Sequence, residues 1–491
     1  MLMSRTLYDE KIGQRKFVVD LHSSEEDVLE DVMKSVVWVE DFYGQVDGKE
    51  MHRHAFNVGR IVDPEICLSK LYVLPLINLP DGSYELRFLI VMAHQISDGL
   101  SAFNWFSGFI RILNLSEKDL TNELGTYRHE EEVKKRLPPA QEDLYPKVQG
   151  SKARERWFWA IVRVLRYLRK TTPQSFSNPL RREQRLNEAV SFSPLFDKIF
   201  DYSDNSRPPM NSGTIIASLS PQVSKRLMDL CRSIHVSIGA GCFALAGLAM
   251  MVIHEERYPK VPNDQRLPFA ASFPLNPRAF FGFKMPADSC MLAFSEGIIM
   301  PYLPSSLPIE GRFKLTASRA NRELRMYQKR LKGKSVGVQG SFDPHSPARL
   351  LANAYLSAIE RSDSRLPEPE RWGVNPQGTL LPPTFQFRAT CGVSSIGSTA
   401  TWLAPGRYDL SEVKEGEREK DFAADYMDFR QGVRARDEEF LIGSSSNAEG
   451  RINFGVSYDQ SGISAEMAER WRDVVEGLLE VSGEGREKAK M

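Results

Sequence analysis

The segment from Leu86 to Leu113 constrains the chain most, because it demands a strand, a tight turn and a helix in direct succession. Its first part, LRFLIVMA, is apolar on both faces and predicts a strand in the interior of a covered sheet, since a strand with one wet face alternates instead. The strand ends at His94, and Asp98 and Gly99 suit a tight turn. Gly99 to Leu113 then reads as a helix whose Phe103, Trp105, Phe106 and Phe109 are available to pack back on the sheet. Just upstream, Asp81-Gly82 between the apolar runs Lys70–Leu79 and Tyr84–Met92 predicts a hairpin, with Gly taking the positive φ of the turn. An imidazole at the end of a central strand stands where open α/β sheets meet their ligands. Its ordinary pKa of ~6.5 lets it take and return a proton near neutrality. The residues alone leave a plainer alternative open, in which His94 is a satisfied core residue and Asp98 only caps the next helix.

The remaining pattern divides the chain into two α/β halves. Ser23 with Glu26 reads as a capping box opening a helix from about Ser24 to Trp38. A helix is expected from about Arg154 to Lys170, with a stripe of Trp157, Phe158, Ile161, Leu165 and Leu168 facing a core and Arg156, Arg163, Arg166, Arg169 and Lys170 solvated; the same pattern fits a membrane surface. Residues Thr171 to Gly213 hold five prolines and read as a connecting segment. The halves are therefore placed at 1–190 and 213–491, with 191–212 between them. In the second, a strand near Thr214–Leu219 precedes a helix capped by Ser220 with Pro221 in its first turn. Ser237 caps the next helix. Strands are expected at Leu267–Phe273, Ser289–Ile299, Phe385–Val393, Phe440–Ser444 and Ile452–Tyr458, and helices at Arg319–Leu331, Ala348–Ile359 and Ser464–Val481.

Charge narrows the function classes. The chain carries 64 Lys and Arg against 64 Asp and Glu, so it lacks the basic excess of a nucleic-acid binder. That balance averages unlike stretches: Lys147 to Arg185 holds eleven basic residues and two acids, and Tyr408 to Phe440 eleven acids and six bases. The five cysteines never form C-x-x-C, so neither a zinc site nor a disulfide framework follows, and His52-Arg53-His54 reads as surface. No metal is assigned. Met1 to Asp20 lacks the apolar stretch of a secretory signal, and the uncharged run Ile238–Ile253 is short for a membrane span. A cytoplasmic chain without stable membrane insertion is the expectation.

The run Ala93-His94-Gln95-Ile96-Ser97-Asp98-Gly99 resembles the HxxxDG signature of the CoA-dependent acyltransferase superfamily, which includes chloramphenicol acetyltransferase, the plant BAHD acyltransferases and the condensation domains of peptide synthetases. Val236-Ser237-Ile238-Gly239-Ala240, Pro274-Leu275-Asn276-Pro277-Arg278, Ser394-Ser395-Ile396-Gly397 and Phe454–Asp459 look like further family segments in the right order. Ala93 stands where many members have a first histidine, and the plant DFGWG motif is absent. Among free-standing members the chain looks most like fungal acetyltransferases of toxin pathways.

The resemblance implies two chloramphenicol-acetyltransferase-like α/β sandwich halves with the active-site tunnel at their interface. It implies acetyl-CoA as co-substrate, a small-molecule alcohol such as a trichothecene-type sesquiterpenoid as acceptor, and a monomer. His94 becomes the general base. Asp98, with Gly99, becomes structural support of the site, paired with Arg278. Ser394, Ser395 and Gly397 become candidates to contact acyl-CoA and the oxyanion; ordinary turn residues are the alternative. Arg181 and Arg182, in the basic stretch, are candidates for the CoA phosphates. A standalone condensation-type enzyme that forms an amide, or an inactive binding protein of the same fold, would share these features.

Overall fold

In the computed structural model the described residues are 2–10, 14–22, 24–127, 129–139, 141–144, 150–168, 174–188, 192–203, 211–278, 287–295, 297–332, 363, 367–371, 389–410 and 423–480. The expected helix Ala348–Ile359 and the start of the expected strand at Phe385 lie outside them.

The chain opens with the antiparallel hairpin β1 (Arg5–Asp9) and β2 (Gln14–Val18), then α1 (Glu25–Met33), β3 (Val36–Trp38) and α2 (Gly48–Ala55). Ser24 caps α1 by accepting from Asp27 N, while Ser23 of the expected capping box lies outside the described residues, and the helix stops at Met33 because Val36-Val37-Trp38 pairs in parallel with β4 (Ser69–Val73). β-branched residues favour that pairing over another helical turn. β5 (Ile77–Asn78) and β6 (Tyr84–Glu85) form the Asp-Gly hairpin, with Gly82 at φ +84°. β7 (Phe88–Met92) pairs antiparallel with β4, Leu71 opposite Ile90. The order β3-β4-β7 places β7 at an edge, among the described residues, and all five of its residues are half-buried. Among the described residues this corrects the interior position expected from its apolar sequence; its Leu89 and Val91 pack on a small core around Val39, Met51 and Tyr72, and Phe88 meets α3 (Gly99–Leu113), whose Phe109 ring sits edge-on at 5.0 Å.

After α4 (Glu117–Tyr127), α5 (Glu130–Arg136), α6 (Gln141–Leu144) and α7 (Lys152–Leu168), the connecting stretch serves both halves. Phe176 and Leu180 enter the large core, while Phe196 and Phe200 complete a small one around Val39, Met51 and Tyr72. On α7, Phe158 is buried but Trp157 is exposed, which removes Trp157 from the expected core stripe.

The second half is built on a six-stranded sheet in the order β12-β9-β13-β14-β15-β8. Its strands are β8 (Ser212–Ser218), β9 (Phe269–Ser272), β12 (Ile298–Met300), β13 (Cys391–Ser398), β14 (Phe440–Ser446) and β15 (Ile452–Asp459); the short pair β10 (Pro274–Leu275) and β11 (Ala293–Phe294) stands apart. β13 runs parallel to β9 and β14, and the other pairings are antiparallel. Around it lie α8 (Pro221–Ser233), α9 (Ile238–Arg257), α10 (Ile309–Lys332) and α11 (Ala465–Gly477). Ser220 and Ser237 cap α8 and α9 as expected. The helix α9 is long and apolar enough to cross a membrane, but most of it is buried against the sheet and the neighbouring helices. A Cβ at Gly247 would stand 3.1 Å from the Phe269 ring and would push the end of the Met300 side chain aside, so the glycine lets α9 sit close on β9 and β12.

Candidate active site

The turn between β7 and α3 places four groups with different jobs. His94 is exposed, which rules out the satisfied core histidine. Its Nδ1 lies 2.7 Å from the carbonyl oxygen of Ser97. A carbonyl only accepts, so in the neutral ring Nδ1 carries the proton and Nε2 presents a free lone pair. Asp98, four residues on, is buried and splits its carboxylate. Oδ1 accepts from Leu100 N and Ser101 N, both at 3.0 Å, and so caps α3, while the Ser101 hydroxyl takes the Asp98 N–H at 2.8 Å to complete a capping box. Oδ2 accepts from Arg278 Nη2 at 2.6 Å and from Met291 N at 2.9 Å. The cap and the brace are one residue working through two oxygens.

Arg278 is itself buried, and it also donates to Ser289 O and, through Nη1, to Asn276 Oδ1 at 3.2 Å. The Asn276 side chain accepts from the Arg278 N–H at 3.1 Å, which fixes the turn after β10. Partners that fill the hydrogen-bonding positions of two buried charged side chains offset the loss of water, and of the guanidinium nitrogens only Nε lacks a partner among the described residues. Burial first, then the Asp98 carboxylate, pushes the neighbouring Cys290 thiol up to about 12, so it stays protonated.

β13 approaches the same turn from the other half. Its pairing with β14 slips by one residue between Ser395 and Gly397, and Gly397 takes φ +86°. The extra residue, Ile396, lies against Gly99, where a Cβ would stand 3.5 Å from Ile396 Cδ1. Such bulges re-aim side chains beside functional turns. The Ser394 carbonyl accepts from Ser444 Oγ at 3.1 Å, while Ser395 is exposed and its Oγ faces Gly239 at the start of α9. The structure therefore joins Asp98 to Arg278, and Gly99 to the Ser394–Gly397 segment. Among the described residues no hydrogen bond links His94 to Ser394 or Ser395.

Several contacts around the turn went unread in the sequence. Phe103 and Phe106 meet Phe429 at tilted angles, and Phe103 also meets Trp402, in a cluster with Ile396 that bridges α3 to the second half. Asn57, Asn114 and Gln141 each pair both ends of a carboxamide with one backbone residue of the second half, namely Ser212, Ala424 and Leu292. Of these features only Ser101, three residues after Asp98, was legible, as the partner in a capping box. His54 is buried rather than on the surface, held by Glu50 and Tyr202. Among the described residues no group of three or more His, Cys, Asp or Glu is placed to hold a metal.

The basic and acidic stretches meet each other. Arg181 pairs with Glu438 and Arg185 with Asp437 and Asp459. The Arg181–Glu438 pair lies partly in solvent, with the two side chains 37% and 47% exposed.

No protein-family model and no curated protein sequence matches the chain. Solved structures do. Trichothecene 15-O-acetyltransferase from Fusarium sporotrichioides is 9% identical, with a TM-score of 0.60 over 97% of this chain and 83% of that one. The epimerization domain of the third module of tyrocidine synthetase B is 11% identical, with a TM-score of 0.47 over 97% and 84%. The first condensation domain of the CDA synthetase is 12% identical, at 0.46 over 97% and 84%. The fold rests on the first of these. It is the expected chloramphenicol-acetyltransferase-like arrangement of helices and sheets, with no closed barrel.

Proposed function

We propose that the chain is an acyltransferase that moves an acetyl group from acetyl-CoA to a hydroxyl of a small molecule, with His94 as general base. The observation that carries the reading is the state of His94: an exposed imidazole, held by the Ser97 carbonyl so that Nε2 is free to accept a proton, on a turn braced from both halves. In the step that this geometry supports, Nε2 takes the proton of the acceptor hydroxyl as its oxygen attacks the thioester carbonyl. The tetrahedral adduct then expels the CoA thiolate, which takes the proton back from His94, leaving an ester and a thiol. One positioned proton-transfer group contributes about 10²- to 10⁴-fold. Holding both substrates together adds the advantage of orientation. Ser395, exposed at the bulge, is the hydroxyl donor we assign to the developing oxyanion.

For the acceptor we favour a sesquiterpenoid alcohol of the trichothecene kind, at a position equivalent to the 15-hydroxyl, supported by the HxxxDG-type turn and by a shared fold with an enzyme named for that reaction. The chain acts in this reading as a cytoplasmic monomer, and its division into halves at 1–190 and 213–491 is part of the proposal. Labelled acetyl-CoA offered with a panel of alcohols and amines tests it. Labelled ester that disappears in His94→Ala is expected. Amide product instead would move the chain to condensation chemistry, and no His94-dependent product at all would leave it a binding protein.

A further inference from the structure

Five consecutive second-half residues lie along the His94 turn. Asp288 Oδ1 accepts from Asn104 Nδ2 at 2.7 Å, Ser289 O accepts from Arg278, Cys290 N donates to Ile96 O at 2.9 Å, Met291 N donates to Asp98 Oδ2 at 2.9 Å, and Leu292 is clasped by Gln141. Two of these contacts act directly on the loop that carries the histidine. Ile96 is fully buried between His94 and Ser97, and its carbonyl is held by Cys290; Asp98 follows the Ser97 carbonyl that orients the ring. The far end of the strap is held by Gln141, whose Nε2 donates to Leu292 O at 2.8 Å and whose Oε1 accepts from Leu292 N at 2.9 Å. A carboxamide bonded both ways to one residue reproduces a β-ladder pairing, so it fixes the position of Leu292 and the direction of its backbone.

We propose that residues 288–292 form a strap that sets the orientation of the His94 ring, and that Gln141 is a positioning residue acting on His94 through it. The connection runs Gln141, Leu292, Met291, Asp98, Ser97, His94, with every link a hydrogen bond or a peptide bond. Without the clasp Leu292 moves, the Met291 N–H leaves Asp98, and the Ser97 carbonyl no longer holds Nδ1–H. Neutral His94 then returns to a mixture of tautomers, and the fraction with a free Nε2 falls. Asn57 provides a natural comparison. It makes the same two-bond clasp, to Ser212, without a connection to the histidine turn.

The catalytic part of this inference rests on the acyl-transfer reading; the structural part does not, and the test separates them. In protein labelled with ¹⁵N-histidine, with the His94 signals identified by their absence in His94→Gln, the parent is expected to show His94 as the Nδ1–H tautomer at pH 8. Gln141→Met keeps the side-chain length and loses both bonds. It is expected to shift His94 toward mixed tautomers and to lower kcat about 5- to 30-fold, the factor for one or two kcal/mol of misplacement, with KM for acetyl-CoA within about twofold. Gln141→Glu still accepts from Leu292 N but no longer donates, and serves if the Met variant does not fold. Asn57→Ala is expected to lower stability and leave the His94 tautomer unchanged. An unchanged tautomer in a folded Gln141 variant would overturn the proposal, as would an equal tautomer shift in Asn57→Ala. A parent without His94-dependent turnover would sink the acyl-transfer reading alone, since the tautomer comparison stands without it.

Discussion

The half that carries the histidine is the less tightly built of the two. Among the described residues its sheet has three strands with a half-buried β7 at one edge, α1 buries no side chain, and Leu7, Tyr8 and Phe17 on the N-terminal hairpin are each about half exposed, at 50%, 51% and 52%. The second half packs α9 against a six-stranded sheet and buries Trp471, Phe440, Phe454 and Phe269 with almost no exposure. Packing at that density resists small displacements. The difference teaches where the precision of the site comes from: the histidine belongs to the looser half, and Arg278, the 288–292 strap and Ile396 of the tighter half hold its turn.

The largest effect expected is chemical and local. His94→Ala is expected to lower the proposed acetyl transfer by about 10²- to 10⁴-fold while urea denaturation gives the parent's stability, because the ring is exposed and its hydrogen bond among the described residues is to the backbone. Asp98→Ala is expected to lose activity and also about 3–5 kcal/mol of stability, since it strands the buried Arg278 and uncaps α3. Equal stability losses for the two variants would break the division between a turn that reacts and a brace that holds it. Asp98→Ala with Arg278→Met should cost less than the sum of the two single changes, as two members of one network do.

A smaller effect sharpens the contrast through pH. In the tighter half His254 is buried against Phe176 and Tyr302, and burial, then the guanidinium of Arg266, lowers its pKa from the ordinary 6.5 to about 4. The unfolded chain therefore binds the proton first as pH falls. The stabilisation is whole above pH 6.5 and is lost between there and pH 4, by at most about 3 kcal/mol. Urea midpoints at pH 7.5 and pH 5 should differ for the parent and differ less for His254→Gln. An equal pH dependence in the two proteins would remove His254 from the account. Asn57→Ala, which unpairs the buried backbone of Ser212, is expected to cost about 1–3 kcal/mol. The smallest effect is at the surface of the looser half. Arg5→Ala breaks a pair with Asp20, whose carboxylate that pair holds below its ordinary pKa, and with both partners partly in solvent the cost is under about 1 kcal/mol, detectable only above the unfolded carboxylate range.

Local chemistry was legible in the sequence and long-range chemistry was not. The Asp81-Gly82 hairpin, the Ser220 and Ser237 caps and the span Gly99–Leu113 depend on neighbours a few residues apart, and they appear where they were expected. β7 is apolar on both faces because Leu89 and Val91 pack on the small core and Phe88 on α3, which needs no strand on each side of it. The α1 boundary moved because pairing of Val36–Trp38 with β4 outweighed helical continuity. The ion pair between Asp98 and Arg278, 180 residues apart, came from resemblance and not from any local signal. Gln141, Asn57 and Asn114 were invisible because a carboxamide that bonds to backbone leaves no pattern in the identity of its partner. The basic and acidic stretches were visible as compositions, but that Arg181 and Arg185 neutralise Glu438 and Asp437 is a fact of the tertiary fold.

Amide hydrogen exchange reads whether the second half holds the histidine turn. In the parent, the Leu100 and Ser101 amides that Asp98 caps should be protected far more than the β7 edge and comparably to β15. Arg278→Met should collapse the protection of Leu100 and Ser101 while β15 stays as it was. Unchanged protection at Leu100 and Ser101 in that variant would contradict the claim, because the turn would then be rigid without the half that is said to hold it.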